Sequence, residues 1–369
     1  MNKTLIIVIT VFVLTGIILL VVLLTKSRPS EPTCSGNGAY DSIGKKCVCN
    51  ANWSGTDCET KKILFATVSK KVCSSPDFGL TWENKYPTDL TINPVCLSKS
   101  PKTVVTVGSN IDTSDVNNNI YFLTDKSQWT LAKTVGIFSY GVGVTWSESL
   151  KLFVAVGFGN NFSKTNTIAY STDGDSWNKG ENCNEIFTVG YYVVFGNNKF
   201  VAVGGGTNSI AVSDNGILWK GVDKSNDIFS YGRGITWNGK IFVAVGIGSY
   251  SIAWSSDGVL WNKVDDIANL ILIGVAWSDT LKIFVAVGAG VNTIVYSNDA
   301  SATTWTAVPN SKTIIKEGYC VLWDTNSNKF LVGGLRVSDS TSAIVFSKYG
   351  IKDWTNSTTL INDIVYSIL

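Results

Sequence analysis

The sequence contains no histidine among its 369 residues, and only three of its 30 basic residues are arginine. The lack of histidine excludes imidazole acid–base catalysis, Ser-His-Asp triads and histidine-ligated metals. Charged residues make up only 16% of the chain and the formal net charge is +2, so no basic field favours nucleic acid as a partner. The chain is instead rich in Gly, Ser, Asn, Thr and Val, a composition typical of an all-β protein with many turns.

A long uncharged run, Leu5–Leu24, lies near the N-terminus. Twenty apolar residues are enough for a helix to cross about 30 Å of hydrocarbon. The alternative is a cleaved signal peptide, which has a shorter apolar region and a small-x-small cleavage site that the following segment does not offer. We expect residues 1–26 to form a short interior tail and a retained signal anchor in the lipid bilayer.

Four cysteines follow within residues 27–60: Cys34, Cys47, Cys49 and Cys58. So short a segment cannot bury a core, and disulfides would have to stabilise it. A zinc site of four thiolates is the alternative, disfavoured by the Cys-x-Cys spacing and the adjacent apolar run. The pattern Cys47-x-Cys49-x5-Gly-x2-Cys58 resembles the C-terminal half of an EGF-like domain. That resemblance, truncated from six cysteines to four, implies Cys34–Cys47 and Cys49–Cys58 disulfides in a stalk.

The cysteine module implies that everything beyond the anchor lies outside, at a cell surface, in a lumen or on a virion envelope. Three Asn-x-Ser/Thr sequons would then be glycosylation acceptors. They begin at Asn52, Asn161 and Asn356.

Internal repetition dominates residues 61–369. Each repeat contains an apolar strand, a second strand close to FVAVG, a third strand ending in Ser, an acidic turn, and a fourth strand opening on Trp. A period of roughly 40–50 residues with four short antiparallel strands indicates a propeller blade. The recurring tryptophans are Trp82, Trp129, Trp177, Trp219, Trp261, Trp305 and Trp354.

The first repeat, residues 63–86, has only three strands, and the missing strand is found at residues 363–369. If the last strand lies beside residues 63–68, the first blade consists of three strands from the first repeat and one strand from the end of the chain. This arrangement removes the open sheet edge. The sequence therefore predicts an all-β, seven-bladed β-propeller of four-stranded antiparallel blades, with six or eight blades if the weaker repeats are miscounted.

The acidic turns resemble the Asp-box of sialidase-like (BNR) propellers, S-x-D-x-G-x-T-W. The best copy carries Ser75, Asp77, Gly79 and Trp82. The resemblance implies that these turns join the third and fourth strands, opposite the binding face. Asp and Ser side chains would bond turn amides while Trp fills the gap between blades, so we expect structural roles. Altered copies carry Asp173 with Trp177, Trp219, Asp257 with Trp261, Asp299 with Trp305, and Trp354.

No catalytic constellation stands out. A sialidase would need an arginine cluster for its substrate's carboxylate, but the repeat region has only Arg233 and Arg336. A copper-oxidase site would need histidine. We predict no enzyme activity, no resident metal and no cofactor, although two carboxylates could serve another glycan hydrolase. Acids in predicted loops are Asp112, Asp115, Asp223, Asp227, Asp265, Asp266 and Glu317.

The remaining cysteines, Cys73, Cys96, Cys183 and Cys320, have no histidine partner and no CxxC motif. Cys73 and Cys96 belong to neighbouring repeats, so a disulfide between them is one alternative. Buried thiols are the other.

The candidate binding face carries the loops 109–119 and 158–167 and the connections between blades. The aromatic side chains of this face either pack against the starts of the first strands or, together with Asn and Asp side chains, bind a sugar or peptide. Asp112 and Asp115 could also coordinate calcium. The candidate ligand-binding residues are Asn110, Asp112, Asp115, Asn117, Asn160, Phe138, Tyr140, Phe229 and Tyr231.

The favoured function is non-enzymatic recognition or adhesion at a surface, with a glycan or protein as ligand. An extracellular glycan hydrolase and a structural membrane component that docks onto a partner protein are the alternatives.

Overall fold

The chain divides into two compact units, Met1–Lys62 and Ile63–Leu369. The computed structural model describes parts of both units. The predicted membrane segment Leu5–Leu24 lies outside the described residues. Within the part that is described, no helix is both long enough and apolar enough to span a bilayer. The described residues are 34, 38–41, 46–49, 53–54, 60–61, 64–68, 71–75, 92–110, 120–124, 129–134, 136–159, 166–265, 270–338, 342–357 and 365–368.

The first unit is held by disulfides. Strands β1 (Gly38–Asp41) and β2 (Lys46–Cys49) form an antiparallel hairpin, and β3 (Trp53–Ser54) pairs with β4 (Thr60–Lys61). Cys34 and Cys47 form a disulfide with their Cα atoms 5.6 Å apart, which confirms the predicted pair.

The second predicted bridge is only partly described. Cys49 is disulfide-bonded, and its predicted partner Cys58 lies outside the described residues, as does the sequon at Asn52. Because Cys34, Cys47 and Cys49 are all in disulfides, the alternative of a four-thiolate zinc site is wrong.

The second unit is built from repeated four-stranded antiparallel sheets in chain order, preceded by β5 (Leu64–Val68) and β6 (Lys71–Ser75). The sheets are β7 (Ile92–Lys99), β8 (Val104–Asn110), β9 (Ile120–Leu123) and β10 (Thr130–Leu131); β11 (Tyr140–Ser147), β12 (Leu152–Phe158), β13 (Ile168–Ser171) and β14 (Asn178–Lys179); β15 (Phe187–Gly196), β16 (Lys199–Gly206), β17 (Ile210–Ser213) and β18 (Lys220–Gly221); β19 (Tyr231–Trp237), β20 (Phe242–Ile247), β21 (Ile252–Ser255) and β22 (Asn262–Val264); β23 (Ile271–Ser278), β24 (Ile283–Ala289), β25 (Ile294–Ser297) and β26 (Thr306–Ala307); and β27 (Glu317–Asp324), β28 (Lys329–Leu335), β29 (Ser342–Ser347) and β30 (Thr355–Asn356).

Short helical turns connect some of these sheets. Helix α1 (Cys183–Ile186) precedes β15, a 3₁₀ turn (Ser225–Asp227) precedes β19, and α2 (Ser311–Ile314) precedes β27.

The core lies between consecutive sheets. Strand β12 is buried on both sides, which is why its sequence is a continuous apolar run rather than an alternating one. Val154 and Val156 pack towards Phe200 of β16, whereas Phe153 and Ala155 pack towards Val105 of β8. Each second strand therefore joins two layers of core.

The final strand, β31 (Val365–Ile368), completes the first sheet. It pairs antiparallel with β5, with Val365 opposite Val68 and Ile368 opposite Ala66. The first strands β7, β11, β15, β19, β23 and β27 contact one another in order, and β31 contacts both β27 and β7. The prediction that the last strand lies beside residues 63–68 is confirmed.

The acidic turns between third and fourth strands are held by their own side chains. In residues 255–261, Asp257 Oδ1 accepts hydrogen bonds from the backbone N–H groups of Val259 and Leu260, both at 2.8 Å. Ser255 Oγ accepts one from the Gly258 N–H at 2.8 Å, and Trp261 Nε1 donates to the Gly258 carbonyl at 2.9 Å. The predicted structural role of these turns follows from this geometry.

The tryptophan bond recurs in three further described turns, whereas Trp354 Nε1 is buried without a hydrogen-bond partner among the described residues. Trp177, Trp219 and Trp305 donate to the carbonyls of the residues three positions earlier, and Asp299 accepts from two turn amides. Trp354 is half-buried. Ser75 ends β6, whereas Asp77, Gly79 and Trp82 lie outside the described residues.

The turn carboxylates favour the charged form. Burial alone would raise the pKa of Asp257, but bonds from the amides of Leu260 and Val259 and from the Ser255 hydroxyl outweigh it, so the pKa lies below its usual value. A lowered pKa contributes stability above the pKa of the unfolded chain, about 3.9, and that stability is lost as the pH falls through the folded value.

Substitution of Asp257 by Asn should keep the turn hydrogen bonds, lose only the part of the stability at pH 7 that depends on the charge, and reduce the loss of stability below about pH 4. Asn215 already makes the equivalent bonds in residues 213–219, with Oδ1 accepting from Ile217 N at 2.9 Å and Leu218 N at 3.0 Å. Asp257→Ala should cost about 1–2 kcal/mol, because two amides lose their acceptor. Urea unfolding of each variant at pH 7 and pH 3.5 measures this, and equal stability of the Ala and Asn variants would contradict it.

Candidate functional site

Every first strand carries a bulge at the same place in its pairing with the second strand. The register shifts lie between Pro94 and Cys96, Gly141 and Gly143, Gly190 and Tyr192, Gly232 and Gly234, Leu272 and Gly274, Gly318 and Cys320, and Val365 and Ser367. A bulge inserts one residue and changes the direction in which a side chain points. The inserted residues are Val95, Val142, Tyr191, Arg233, Ile273, Tyr319 and Tyr366.

A cavity of about 470 Å³ lies among these first strands. Its volume is within the range of roughly 300–1,000 Å³ typical of small-molecule sites. Its wall is mostly aromatic and aliphatic, with one charged side chain, Arg233. The lining residues are Cys96, Tyr140, Val142, Phe158, Tyr191, Tyr192, Arg233, Gly234, Ile235, Ile247, Ile271, Ile273, Gly274, Val275, Tyr319, Cys320, Val321 and Ile368.

A row of four rings lies at the end of the cavity where β11 and β19 begin, which we call its mouth, and three of these rings, Tyr140, Phe158 and Tyr191, line the cavity. Tyr140 contacts Phe158 at a centroid distance of 5.6 Å, Phe158 contacts Tyr191 at 6.1 Å, and Tyr191 contacts Tyr231 at 6.3 Å. All three contacts are edge-to-face, a favoured arrangement of aromatic pairs. The rings therefore hold one another in place across three neighbouring sheets.

Arg233 lies over this row. Its guanidinium carbon is 4.0 Å from the centroid of the Tyr191 ring, a cation–π distance. Its Nε is buried and makes no hydrogen bond with the described protein groups. Burial raises the pKa of Tyr191, the charge of Arg233 lowers it, and Tyr231 raises it again; the net shift is upward, so the phenol is neutral.

The position after each bulge decides how close the neighbouring first strand can come. At Gly234 a Cβ would lie 2.6 Å from the carbonyl oxygen of Ile273, so a side chain there would collide with the next strand. At the same position β15 carries Tyr192 and β27 carries Cys320, and both side chains line the cavity. Glycine at this position therefore lets neighbouring first strands pack closely, whereas a larger residue at the same position contributes its side chain to the cavity wall.

Two ionisable groups that line the cavity, the Cys320 thiol and the Tyr192 phenol, keep their protons at neutral pH. Burial raises the pKa of the Cys320 thiol to about 12 and raises that of the Tyr192 phenol well above its usual range. Both groups are neutral at pH 7. Tyr192 keeps 38% of its surface exposed because it faces the enclosed space. Neither group provides a nucleophilic anion.

Cys96 lines the same cavity as a reduced thiol, so the alternative of a Cys73–Cys96 disulfide is wrong. Its Sγ donates to the carbonyl of Leu97 at 3.7 Å or to that of Val144 at 3.8 Å, which ties it to the neighbouring sheet. Cys183 is likewise a buried thiol.

The predicted binding rings divide into two pairs. Tyr140 lines the cavity and Tyr231 is 45% exposed beside Tyr191. Phe138 and Phe229 are fully buried, which favours the alternative that these rings pack the starts of the first strands. Their rings pack under the second strands: a Cβ at Gly157 would lie 3.1 Å from Phe138 Cδ1, and one at Gly246 the same distance from Phe229 Cδ1.

The predicted polar ligands fall mainly outside the described residues. Asn110 ends strand β8. The calcium possibility at Asp112 and Asp115 concerns residues that are not described and stays a prediction. Asn117, Asn160 and the sequon at Asn161 lie in the same undescribed loops, whereas Asn356 is exposed on β30.

Arg233, Tyr192 and Tyr319 were not among the predicted binding residues. The sequence signal was the Gly-x-Gly and Gly-x-x patterns at the start of first strands, such as YGRGI at 231–235. The two glycines mark a bulge, and the residue between them is the one directed into the cavity.

Residues 31–61 match the model of the Teneurin-like EGF domain. No curated protein is significantly similar to the chain. Solved structures resemble it in fold. A Lactobacillus plantarum protein is 14% identical with a TM-score of 0.60, covering 82% of this chain and 97% of its own. The periplasmic gluconolactonase of Pseudomonas aeruginosa is 10% identical with a TM-score of 0.59, covering 83% and 98%.

A third similar structure is YCF48 bound to D1 peptide, 16% identical with a TM-score of 0.53, covering 76% of this chain and 86% of that one. The second unit has a propeller-like fold. At these identities the likeness concerns the fold alone.

Proposed function

We propose that this protein is a non-enzymatic recognition module that binds a polypeptide partner at the cavity mouth of a seven-bladed propeller. The segment Leu5–Leu24 would anchor it in a bilayer, with the EGF-like module as a stalk and the propeller outside. A glycan is the second candidate ligand.

The count of seven blades is supported by strand pairing. Within the described residues β19–β30 form three sheets of four strands, and β7–β18 form three more four-stranded units that are joined by the single residue pairs Tyr140–Ser109 and Phe158–Val189. Strands β31, β5 and β6 form a further sheet of three strands. We interpret the acidic turns as a divergent form of the Asp-box. They join third to fourth strands at the end of each sheet opposite the cavity mouth.

The observation that carries the proposal is the apolar rim of the cavity. Tyr231, Ile271 and Val291 are 45%, 44% and 75% exposed. Tyr231 pairs with Ile247 and Ile271 with Ala289 at the ends of their strands, and Val291 lies in the bend that follows β24; Ile271 also lines the cavity. Clustered exposed apolar side chains next to a cavity are typical of protein interaction sites. The peptide-bound state of YCF48 supports the same class of ligand.

The described lining argues against a hydrolase. Among the described residues that line the cavity there is no carboxylate, whereas most glycosidases place two carboxylates beside the scissile bond. A hydrolase would have to use acids from the loops, such as Asp112 and Asp115. Turnover of a glycan that is lost in an Asp112→Asn or Asp115→Asn variant would favour that alternative.

Site-specific photo-crosslinking tests the proposed function. The full chain in detergent or nanodiscs carries a benzophenone amino acid at Tyr231 or Ile271 and is irradiated with intact cells or membranes. We expect a discrete polypeptide adduct at both positions. The matched control is Leu260, which is 73% exposed but lies in the turn at the other end of its sheet.

An adduct of equal strength at Leu260 would contradict the proposal, because it would indicate non-specific apolar contact. Strong signals on a glycan array, without a polypeptide adduct at the rim, would favour the glycan instead.

A further inference from the structure

We infer that the cavity binds a carboxylate carried by an apolar body, and that Arg233 is the group that holds the carboxylate. This inference rests on the proposed recognition function and names the chemistry of its ligand. Two sources could supply it: the C-terminal residue of a polypeptide, or a free small organic acid.

The Arg233 guanidinium has no carboxylate partner among the described residues. Its Nε is buried without a hydrogen-bond partner, and none of the ion pairs between described residues includes it. Stacking on the Tyr191 face compensates only in part, since a cation–π contact leaves the N–H donors in the guanidinium plane unused. Buried polar groups in native proteins are almost always hydrogen-bonded to protein, water or a ligand, and Arg233 Nε is the only unsatisfied buried side-chain atom among the described residues that belongs to the cavity lining.

The geometry holds the guanidinium ready to bind. Arg233 occupies the bulge of β19, and Tyr191 occupies the equivalent bulge of the neighbouring β15. Contacts of Tyr191 with Phe158 and Tyr231 fix the ring on which the guanidinium lies. A planar guanidinium fixed in this way offers paired N–H donors, the geometry that carboxylates bind in a bidentate manner.

The rest of the wall defines what the carboxylate is attached to. Around Arg233 the cavity presents aliphatic side chains, such as Ile235 and Ile273, and the neutral Tyr192 and Cys320 groups. Among its described lining residues there is no Asn, Gln, Asp, Glu, Ser or Thr.

A sugar has a hydroxyl on nearly every carbon, whereas the polar side chains of this wall are Arg233, two thiols and the tyrosine hydroxyls, so several sugar hydroxyls would lack partners, at about 1–3 kcal/mol for each buried group. An apolar residue or a hydrocarbon chain would lose little solvation here and gain about 25 cal/mol for each Å² buried. A single anionic end on an apolar body therefore fits better than an acidic sugar.

Binding of matched probes to the full chain in detergent tests the inference by calorimetry. The peptide arm uses acetylated tetrapeptides that end in Leu, Phe or Ile, each as the free acid and as the amide. The small-acid arm uses octanoate and 4-phenylbutyrate, with glucuronate as the polar acid. We expect acids to bind at least about tenfold more tightly than amides or glucuronate, the effect of a charge-assisted hydrogen bond.

Arg233→Met should abolish this preference for acids over amides, whereas Arg233→Lys should keep part of it. Lys263→Met is the matched control, because Lys263 Nζ also lies over a tyrosine ring, 4.9 Å from the Tyr250 centroid, and neither residue lines the cavity. It should leave the preference unchanged. Equal thermal unfolding temperatures of the variants show that folding is intact.

Each outcome decides a different point. Binding of peptide acids assigns the polypeptide source, and binding of octanoate or 4-phenylbutyrate alone assigns the free small acid; both support the inference. Equal affinity for acids and amides, or preference for glucuronate, overturns it. If the Tyr231 crosslink persists in Arg233→Met while no acid preference exists in the parent protein, the inference fails and the proposed function stands.

Discussion

A chain that ends at residue 364 should fail to form a stable monomer. The four residues of β31 supply the first strand of the first sheet, and they also contact β27 and β7 on either side. Ile368 is only 7% exposed and packs with Ala66, Leu331 and Ile344. Full burial of one such side chain contributes about 1.5–3 kcal/mol, and the paired backbone of β5 would become an open edge as well.

Size-exclusion chromatography and thermal unfolding measure this effect. We expect aggregation or a broad transition in place of a cooperative one. Addition of a peptide of residues 358–369 should restore the monomer and the cooperative transition, whereas a scrambled peptide of the same composition should not. A truncated chain that elutes as a monomer with an unchanged unfolding temperature would show that the strand does not close the ring.

The repeated sheets could be predicted because local and long-range signals agree. The FVAVG segments read as strands buried on both faces, and β12 and β16 are buried in this way. The Ser–Asp–Gly–Trp turns carry their own hydrogen bonds, so their conformation depends little on the rest of the fold. The pairing of β31 with β5 followed from counting strands, since only one repeat lacked its first strand.

The cavity could not be predicted from the same patterns, because a bulge interrupts the alternation of a strand. Residues 137–141, with the sequence IFSYG, carry two aromatic rings two positions apart, yet Phe138 is buried under Gly157 and Tyr140 faces the cavity. Phe138 lies before β11 begins, so strand alternation does not apply to it. Polar loop residues such as Asp112 suggested a site on the rim, whereas the only charge in the described lining, Arg233, sits inside a strand.

The buried tryptophans explain why the repeats hold together, and Trp219 gives the strongest test. It is 1% exposed, lies 6.4 Å from Phe200 between ring centroids, and donates from Nε1 to the Gly216 carbonyl at 3.2 Å. Trp219→Ala should destabilise the protein by about 3–5 kcal/mol, because the lost contacts leave a cavity between two sheets. Urea unfolding followed by circular dichroism measures this change in the free energy of unfolding.

The matched variant is Trp261→Ala. Trp261 makes the same bond, from Nε1 to the Gly258 carbonyl at 2.9 Å, but it is only partly buried at the edge of its core cluster. Its removal should cost clearly less than that of Trp219, since less apolar area returns to water. Equal losses at both positions would mean that the turn hydrogen bond, rather than packing between sheets, is the main contribution of these tryptophans.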